Sequence, residues 1–343
     1  MATSLAIGAT GMVTGVGLDA PSSCAAIRCA IDNFQETRFL DRAGEWIMGC
    51  EVSLEQPWRG RHKLLQMAAM AVREALAACP DFNAEQTPLL LCLPELSRPG
   101  RVMDEDNQLF LELQVELGLE FHDHSRIIAS GHVATALALR HAHNLIHQQG
   151  HPRVLVAATD SYLVRPTLAH FERQERLLTS LNSNGFIPGE AGVALILESP
   201  GRVPGERLCC RGLGFGVESA HVESEQPLRA DGLSTAIKDA VRDAGFEMGD
   251  LDFRITDLSG EQYYFKEASL ALSRTLRTRK EEFDIWHPAD CIGEVGAAAG
   301  AAMLVVLKSA CDKGYSLGTR ILAHAGNDDG KRASWVLAWM SGG

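Results

Sequence analysis

Ser130 and His132 stand two residues apart where an apolar, helix-like segment begins, a pairing of hydroxyl and imidazole that invites nucleophilic chemistry. Side chains two apart on a helix diverge, however, so the simpler reading makes Ser130 an N-cap or a packed residue. His287, Asp290 and Cys291 bring a base, a carboxylate and a thiol into one short loop. That loop is read either as a new thiol nucleophile or, more simply, as a turn with a buried cysteine. Seven of the twelve histidines fall between His122 and His151, and His143 with His147 has the i, i+4 spacing of a metal pair. No third ligand stands near that pair in sequence, so a helix-ending histidine face is preferred and no metal is expected. Gly8, Gly11, Gly15 and Gly17 are spaced like a phosphate-cradling loop, but a lone glycine pattern is weak and no Tyr-x-x-x-Lys pair accompanies it, so no cofactor is expected. Glu190, after Pro188 and Gly189, is read as a structural carboxylate bonded to nearby backbone.

The elements that hold these residues follow a repeat. Residues 130–160 and 293–327 share one pattern about 165 positions apart: a Gly-containing turn, an apolar small-residue helix, a glycine break (Gly150, Gly314), then a short buried strand. The strands are expected at Arg153 to Ala158 and Arg320 to Ala325. Helices so poor in charge must be buried on nearly all sides, and two of them imply a duplicated α/β unit. Around them the pattern predicts a strand from Ser4 to Ile7 into a Gly-rich turn, a helix over His62 to Cys79, a strand at Leu89 to Leu93 and a helix over Asp106 to Leu117. A second set follows Pro200–Pro204: strand Leu208 to Glu218, helix Gly232 to Ala244 and strand Phe253 to Leu258. Strands alternating with helices predict a mainly parallel sheet in two halves, residues 1–200 and 205–343.

Composition narrows the function classes. With 343 residues, 46% hydrophobic and 22% charged, the chain has the balance of a folded globular protein. Its formal charge of −12, with Lys and Arg scattered, argues against nucleic acid as a partner. The longest apolar run, Val295 to Leu307, is too short to cross a bilayer, so no membrane is expected. Nine cysteines without CxxC spacing read as reduced thiols, which together with the lack of a leader-like start predicts a cytoplasmic protein.

Four segments in order, LAIGATGMVTGVG, SGHVATALAL, GFIPGEAGVALILE and CIGEVGAAAG, resemble the β-ketoacyl synthase and thiolase-like superfamily over nearly the whole chain. The resemblance implies a duplicated α/β thiolase-like fold in five αβαβα layers, usually as a homodimer. It also implies a cysteine at the start of the first buried helix and two histidines, or His and Asn, to stabilise enolate and oxyanion. By that alignment the cysteine position, three before Gly131, holds Ile128; the first histidine position holds Ser259; the second holds Glu294; and a lysine expected shortly before it is replaced near Ala289. Isoleucine carries no acyl group and a carboxylate repels an oxyanion, so no catalytic residues are expected and condensation is excluded on this reading.

The expectation is therefore a pseudo-ketosynthase, a thiolase-fold binding or assembly module. Shortened members with a FIPGEA-type loop resemble accessory proteins linked to type VI secretion effectors, which suggests an adaptor or chaperone. Two alternatives stay open: an acyl-thioester transferase or hydrolase using Cys291, with His287, or Ser130; and an inactive subunit paired with an active ketosynthase. Partners on these readings are a second copy, a secretion effector, a ketosynthase, or an acyl-carrier-protein or coenzyme A thioester. By the resemblance, the dimer strand would include Arg126 to Ala129, with Ile127 and Ile128 on opposite faces, one turned inward and the other toward the partner.

Overall fold

The computed structural model describes residues 4–101, 106–203 and 205–340. The first half runs β1 (Leu5–Thr14), α1 (Ala20–Arg28), β2 (Gln35–Leu40), β3 (Trp46–Gly49), α2 (Gly60–Ala77), β4 (Leu89–Leu93), α3 (Asp106–Leu117), β5 (Arg126–Ala129), α4 (Ala134–His147), β6 (Arg153–Ser161), α5 (Arg165–Arg173) and β7 (Glu190–Glu198). The second runs β8 (Arg207–Val217), α6 (Asp231–Ala244), β9 (Phe253–Thr256), α7 (Gln262–Thr275), β10 (Ile285–Trp286), α8 (Ala289–Ile292), α9 (Ala299–Asp312), β11 (Arg320–Gly326) and β12 (Lys331–Met340).

The duplication expected from sequence is written in the sheet. From the middle outward, one side reads β1, β7, β6, β4, β5 and the other β8, β12, β11, β9, β10. In both, the two inner pairings are antiparallel and the two outer ones parallel. The halves join where β1 and β8 run antiparallel, Leu5 opposite Cys210 and Ala6 opposite Cys209. Strand order and direction thus repeat unit for unit, which chance assembly of ten strands does not produce.

Alternation along the strands sets the layers. On β6, Val154, Val156 and Ala158 enter a central core with α4 and α9, while Leu155 and Ala157 face α2 and α3. On the other half, Ile321, Ala323 and Trp335 join the same central core, and Leu322 with Val336 packs under α6 and α7. The sheet therefore wraps the buried helix pair, giving five αβαβα layers. Small residues make this possible: a Cβ built on Gly300 of α9 would lie 2.8 Å from the Thr135 Cβ of α4. Leu304, Leu139 and Met303 complete the apolar contact, each burial stabilising by about 1.5–3 kcal/mol.

The first strand departs from expectation. β1 continues through Gly8 and Gly11 to Thr14, so these glycines are strand interior and not a phosphate loop. Gly11 is needed because a Cβ there would strike the Ala71 carbonyl of α2, which lies flat against the sheet. A helix packing onto a strand without side chains between them leaves the same glycine signature as a cofactor turn. The β2 and β3 hairpin, α1, α5, α7, α8 and β10 carry too little periodicity or length to be read from sequence.

Replacing Ala298, fully buried at the start of the second central helix, by leucine overpacks this layer. Ala298→Leu is expected to lower urea-denaturation stability by about 1–3 kcal/mol, whereas Val115→Ala on the exposed face of α3 leaves it near wild type.

Candidate functional site

The two buried helices begin alike. Each opens with a glycine in the left-handed region, Gly131 at φ +57 and Gly296 at φ +52, followed by a single 3-10 turn, Gly131–Val133 or Gly296–Ala298. Both turns sit beside the ends of parallel strands, where open α/β sheets gather their functional groups. Helix starts leave backbone N–H groups unpaired and carry partial positive charge, so they attract anions.

Here the chain supplies the partners itself, and it does so across the pseudo-twofold. Asp160, at the end of β6 in the first half, accepts from the Ala297 N–H at 2.8 Å, at the start of the second half's helix. Asn327, after β11 in the second half, accepts from the Val133 N–H at 3.3 Å and donates to the Ser130 carbonyl at 2.9 Å. Glu294 takes the Gly296 N–H at 2.8 Å. Asp160 is in turn paired with Arg98 at 3.2 Å, which forks onto Glu95 and stacks 4.1 Å from the Tyr162 ring. Side chains larger than glycine are excluded at both turns, since a Cβ on Gly131 would meet Glu95 and one on Gly296 would meet Asp160.

His132 is the hub between the halves. Its Nδ1 lies 2.9 Å from Asp257 Oδ2, at the end of β9, and its Nε2 lies 3.2 Å from Glu294 Oε1. Burial opposes charge on this imidazole, yet the Glu294 and Asp257 carboxylates overcome it and push the pKa up to about 10. Burial raises Glu294, with His132 and the Gly296 N–H pulling the other way. Both ring nitrogens face carboxylate oxygens, which favours the charged ring and leaves neither nitrogen free to act as a base.

Around it is a cavity of only about 20 Å³, lined by His132, Ser259, Glu294, Asp257, Arg176 and Asp328 among others. That volume admits about one water. Tyr162, Phe171 and Phe186 wall it, their rings 5.2 to 5.6 Å apart. Its guanidinium, Arg176, is already forked onto Glu261 at 2.6 and 2.9 Å and onto Asp328 at 2.8 and 2.9 Å. Burial acts to raise Asp328, but Arg176 wins and holds it at about 2. Four carboxylates against two cations make a wall that disfavours a further negative charge.

The sequence-derived positions divide accordingly. Ser259 and Glu294 meet in this cavity, the Ser259 hydroxyl bonding to Glu294. Ile128 does not line it: it is 7% exposed in β5, opposite Cys92, with its side chain in the central core. Ala289 opens α8. Of the two roles expected of Ser130, side-chain capping does not occur, because Asn327 serves the helix start instead. His287 points its Nδ1 to Asp290 at 2.7 Å, and burial pushes the Cys291 thiol up to about 11, beside a separate cavity of about 320 Å³ that also touches Trp286, Val306 and Tyr315. The His143 and His147 rings lie 4.8 Å apart at a 51° tilt, with His147 Nε2 3.0 Å from the Ser4 carbonyl. Glu190 bonds the Val52 N–H at 2.8 Å, Ser161 and Lys63, the structural role expected of it. Arg176, Asp257, Asp160 and Asn327 escape sequence reading; the one available signal is that Asp160 and Asn327 end equivalent apolar strands of the repeat.

No protein-family model matches the chain, and no curated protein matches it. Solved structures do. The ishigamide ketosynthase/chain length factor superposes with a TM-score of 0.81 at 16% identity, covering 98% of this chain and 99% of that one. The chain has the thiolase-like ketosynthase fold. The AntDE:AntF complex, a type II polyketide acyl-carrier protein with its ketosynthase, gives 0.79 at 17% identity over 98% and 100% of the two chains. A β-ketoacyl synthase from Burkholderia phymatum gives 0.72 at 15% over 98% and 100%. Among the described residues no helix is long and apolar enough to cross a membrane.

The raised His132 pKa has a stability consequence. A folded value near 10 against about 6.5 unfolded means the imidazolium stabilises fully below pH 6.5, and that contribution fades as pH rises through 10. The stability advantage of wild type over His132→Asn is expected to shrink steadily between pH 6.5 and 10 in urea titrations. Nitrogen NMR of the ring should report a protonated imidazole at pH 8.

Proposed function

We propose that this chain is a non-condensing, thiolase-fold binding module that works through a protein partner. The observation that carries this is the clamped His132: where condensation in this fold requires a free base or oxyanion donor, the chain holds an imidazolium locked between Asp257 and Glu294 in a space for one water. Ile128 in the core, together with Ser259 and Glu294 at the resembling histidine positions, supports the same reading. Against the rival of a thioester transferase or hydrolase stand the Cys291 thiol, raised to about 11 by burial, and Ser130, without a base in its hydrogen-bond pattern.

The partner surface we assign is the β5 edge, the outermost strand of the first half. The sequence expectation that one of its isoleucines meets a twin subunit changes: Ile127 packs against the outer core and Ile128 is in the central one, leaving Arg126 and the strand backbone to the outside. An open edge of this kind suits strand-to-strand pairing, with a second copy as occupant. The resemblance to type VI accessory proteins supports an adaptor for a secretion effector in the cytoplasm. A second reading, a subunit paired with an active ketosynthase or its acyl-carrier protein, is favoured by the likeness to ketosynthase/chain length factor and ketosynthase–carrier complexes.

Purified protein mixed with acyl-carrier-protein or coenzyme A thioesters and a malonyl donor is expected to form no condensation product, and iodoacetamide is expected to label Cys291 slowly near neutral pH. Product from the unmodified chain would overturn the proposal. Rapid labelling at Cys291 that is lost in His287→Ala would turn it to the rival enzyme. Light scattering is expected to give twice the 37.2 kDa chain mass.

A further inference from the structure

At the opposite end of the same strands three histidines converge. His122 and His124 lie in the turn before β5, and His151 in the turn before β6. Their ligand nitrogens all fall within 4.8 Å of one another, and the ring centroids are 4.6, 4.5 and 5.0 Å apart. The rings stand at 66° to 78° to each other, so they radiate from a common point and do not stack.

Their hydrogen bonds set the tautomers. His151 Nδ1 lies 3.3 Å from the Gln86 carbonyl, an acceptor only, so that nitrogen carries the proton and Nε2 presents a lone pair. That lone pair faces His124 Nδ1 at 2.8 Å. His122 Nδ1 accepts the His124 backbone N–H at 3.0 Å, which leaves its proton on Nε2. An imidazole oriented by a backbone carbonyl on its far nitrogen is the usual support of a metal-ligating histidine.

The backbone beneath is fixed. The His122 N–H donates to Thr87 O at 3.3 Å, Ser125 Oγ donates to His122 O at 2.6 Å and accepts from the Leu89 N–H at 2.9 Å, and the His151 N–H donates to Leu145 O at 3.0 Å. The cluster therefore joins the turns that lead into β4, β5 and β6, three neighbouring strands.

We propose that His122, His124 and His151 form a binding site for a divalent late transition metal, with Zn(II) as the ion and water in the fourth position. Imidazole is the preferred ligand of this class, and a three-histidine set with one open position is a known zinc arrangement. Zinc–nitrogen bonds of about 2.0–2.1 Å place tetrahedral ligands about 3.4 Å apart, so ring rotations of about 1 Å close the set. Binding shifts His124 to its Nε2–H tautomer, freeing Nδ1 for the metal without net proton release. His122 gives up its bond from the His124 N–H. The expected role is to tie the three turns together beside the β5 edge.

Chelator-treated wild type titrated with ZnCl2 in a calorimeter at pH 7.5 is expected to bind one ion with a Kd on the order of micromolar or tighter, and its thermal midpoint is expected to rise with added zinc. His124→Ala, an exposed position that leaves the fold intact, should weaken binding at least tenfold, and His151→Ala likewise. His170→Ala on α5 should bind as wild type, and Mg(II) should not compete. Absence of zinc binding by wild type, or binding undiminished in the His124→Ala, His151→Ala double variant, would overturn the site.

Discussion

The structure turns on a reciprocal exchange of caps. Asp160 of the first half closes the start of the second half's central helix, and Asn327 of the second half, through Val133, closes the start of the first. Each helix end is deep in the molecule, where an unpaired N–H costs about 1–3 kcal/mol, so each half depends on the other for one cap of its central helix. The glycines at φ +57 and +52 exist to make room for this exchange, and the strand ends that deliver the caps occupy the same place in the repeated topology. The geometry that could present a helix start to a substrate instead presents it to the partner half.

Charge then accumulates around the seam. Asp160, Glu294 and Asp257 are all drawn to the two helix starts or their neighbouring turn, and buried carboxylates require cations. Arg98 answers Asp160, and His132 answers Asp257 and Glu294. Arg176, forked onto Glu261 and Asp328, closes the outer side. The imidazole at the centre is consumed by this balance. It ties the two halves together by charge, and the cavity it lines has room for about one water.

Much of the frame was legible in the chain because it is written in local pattern. Leu89 to Leu93 and Asp106 to Leu117 match their observed strand and helix end to end; α9 is buried on nearly all sides as expected, whereas α4 leaves a face with Arg140 and Asn144 exposed. The first strand was expected to end at Ile7 in a Gly-rich turn; it continues through Gly8 and Gly11 because Gly11 lets α2 lie against the strand, and such a glycine looks in sequence like a turn glycine. The seam was not legible, since His132 is 125 or more positions from both Asp257 and Glu294 and only the duplicated topology brings them together. Ser130 was read as an N-cap or a packed residue; the cap at this helix start comes from Asn327, nearly two hundred residues away.

The central claim is that the cavity at His132 is closed by the protein's own charges. It is tested most directly by following the nitrogen NMR signals of the His132 ring while an acyl-pantetheine thioester is titrated in. The account predicts an imidazolium signal that does not move up to millimolar thioester. A saturable shift of that signal, lost in Glu294→Gln, would show that substrate reaches the seam and would contradict it.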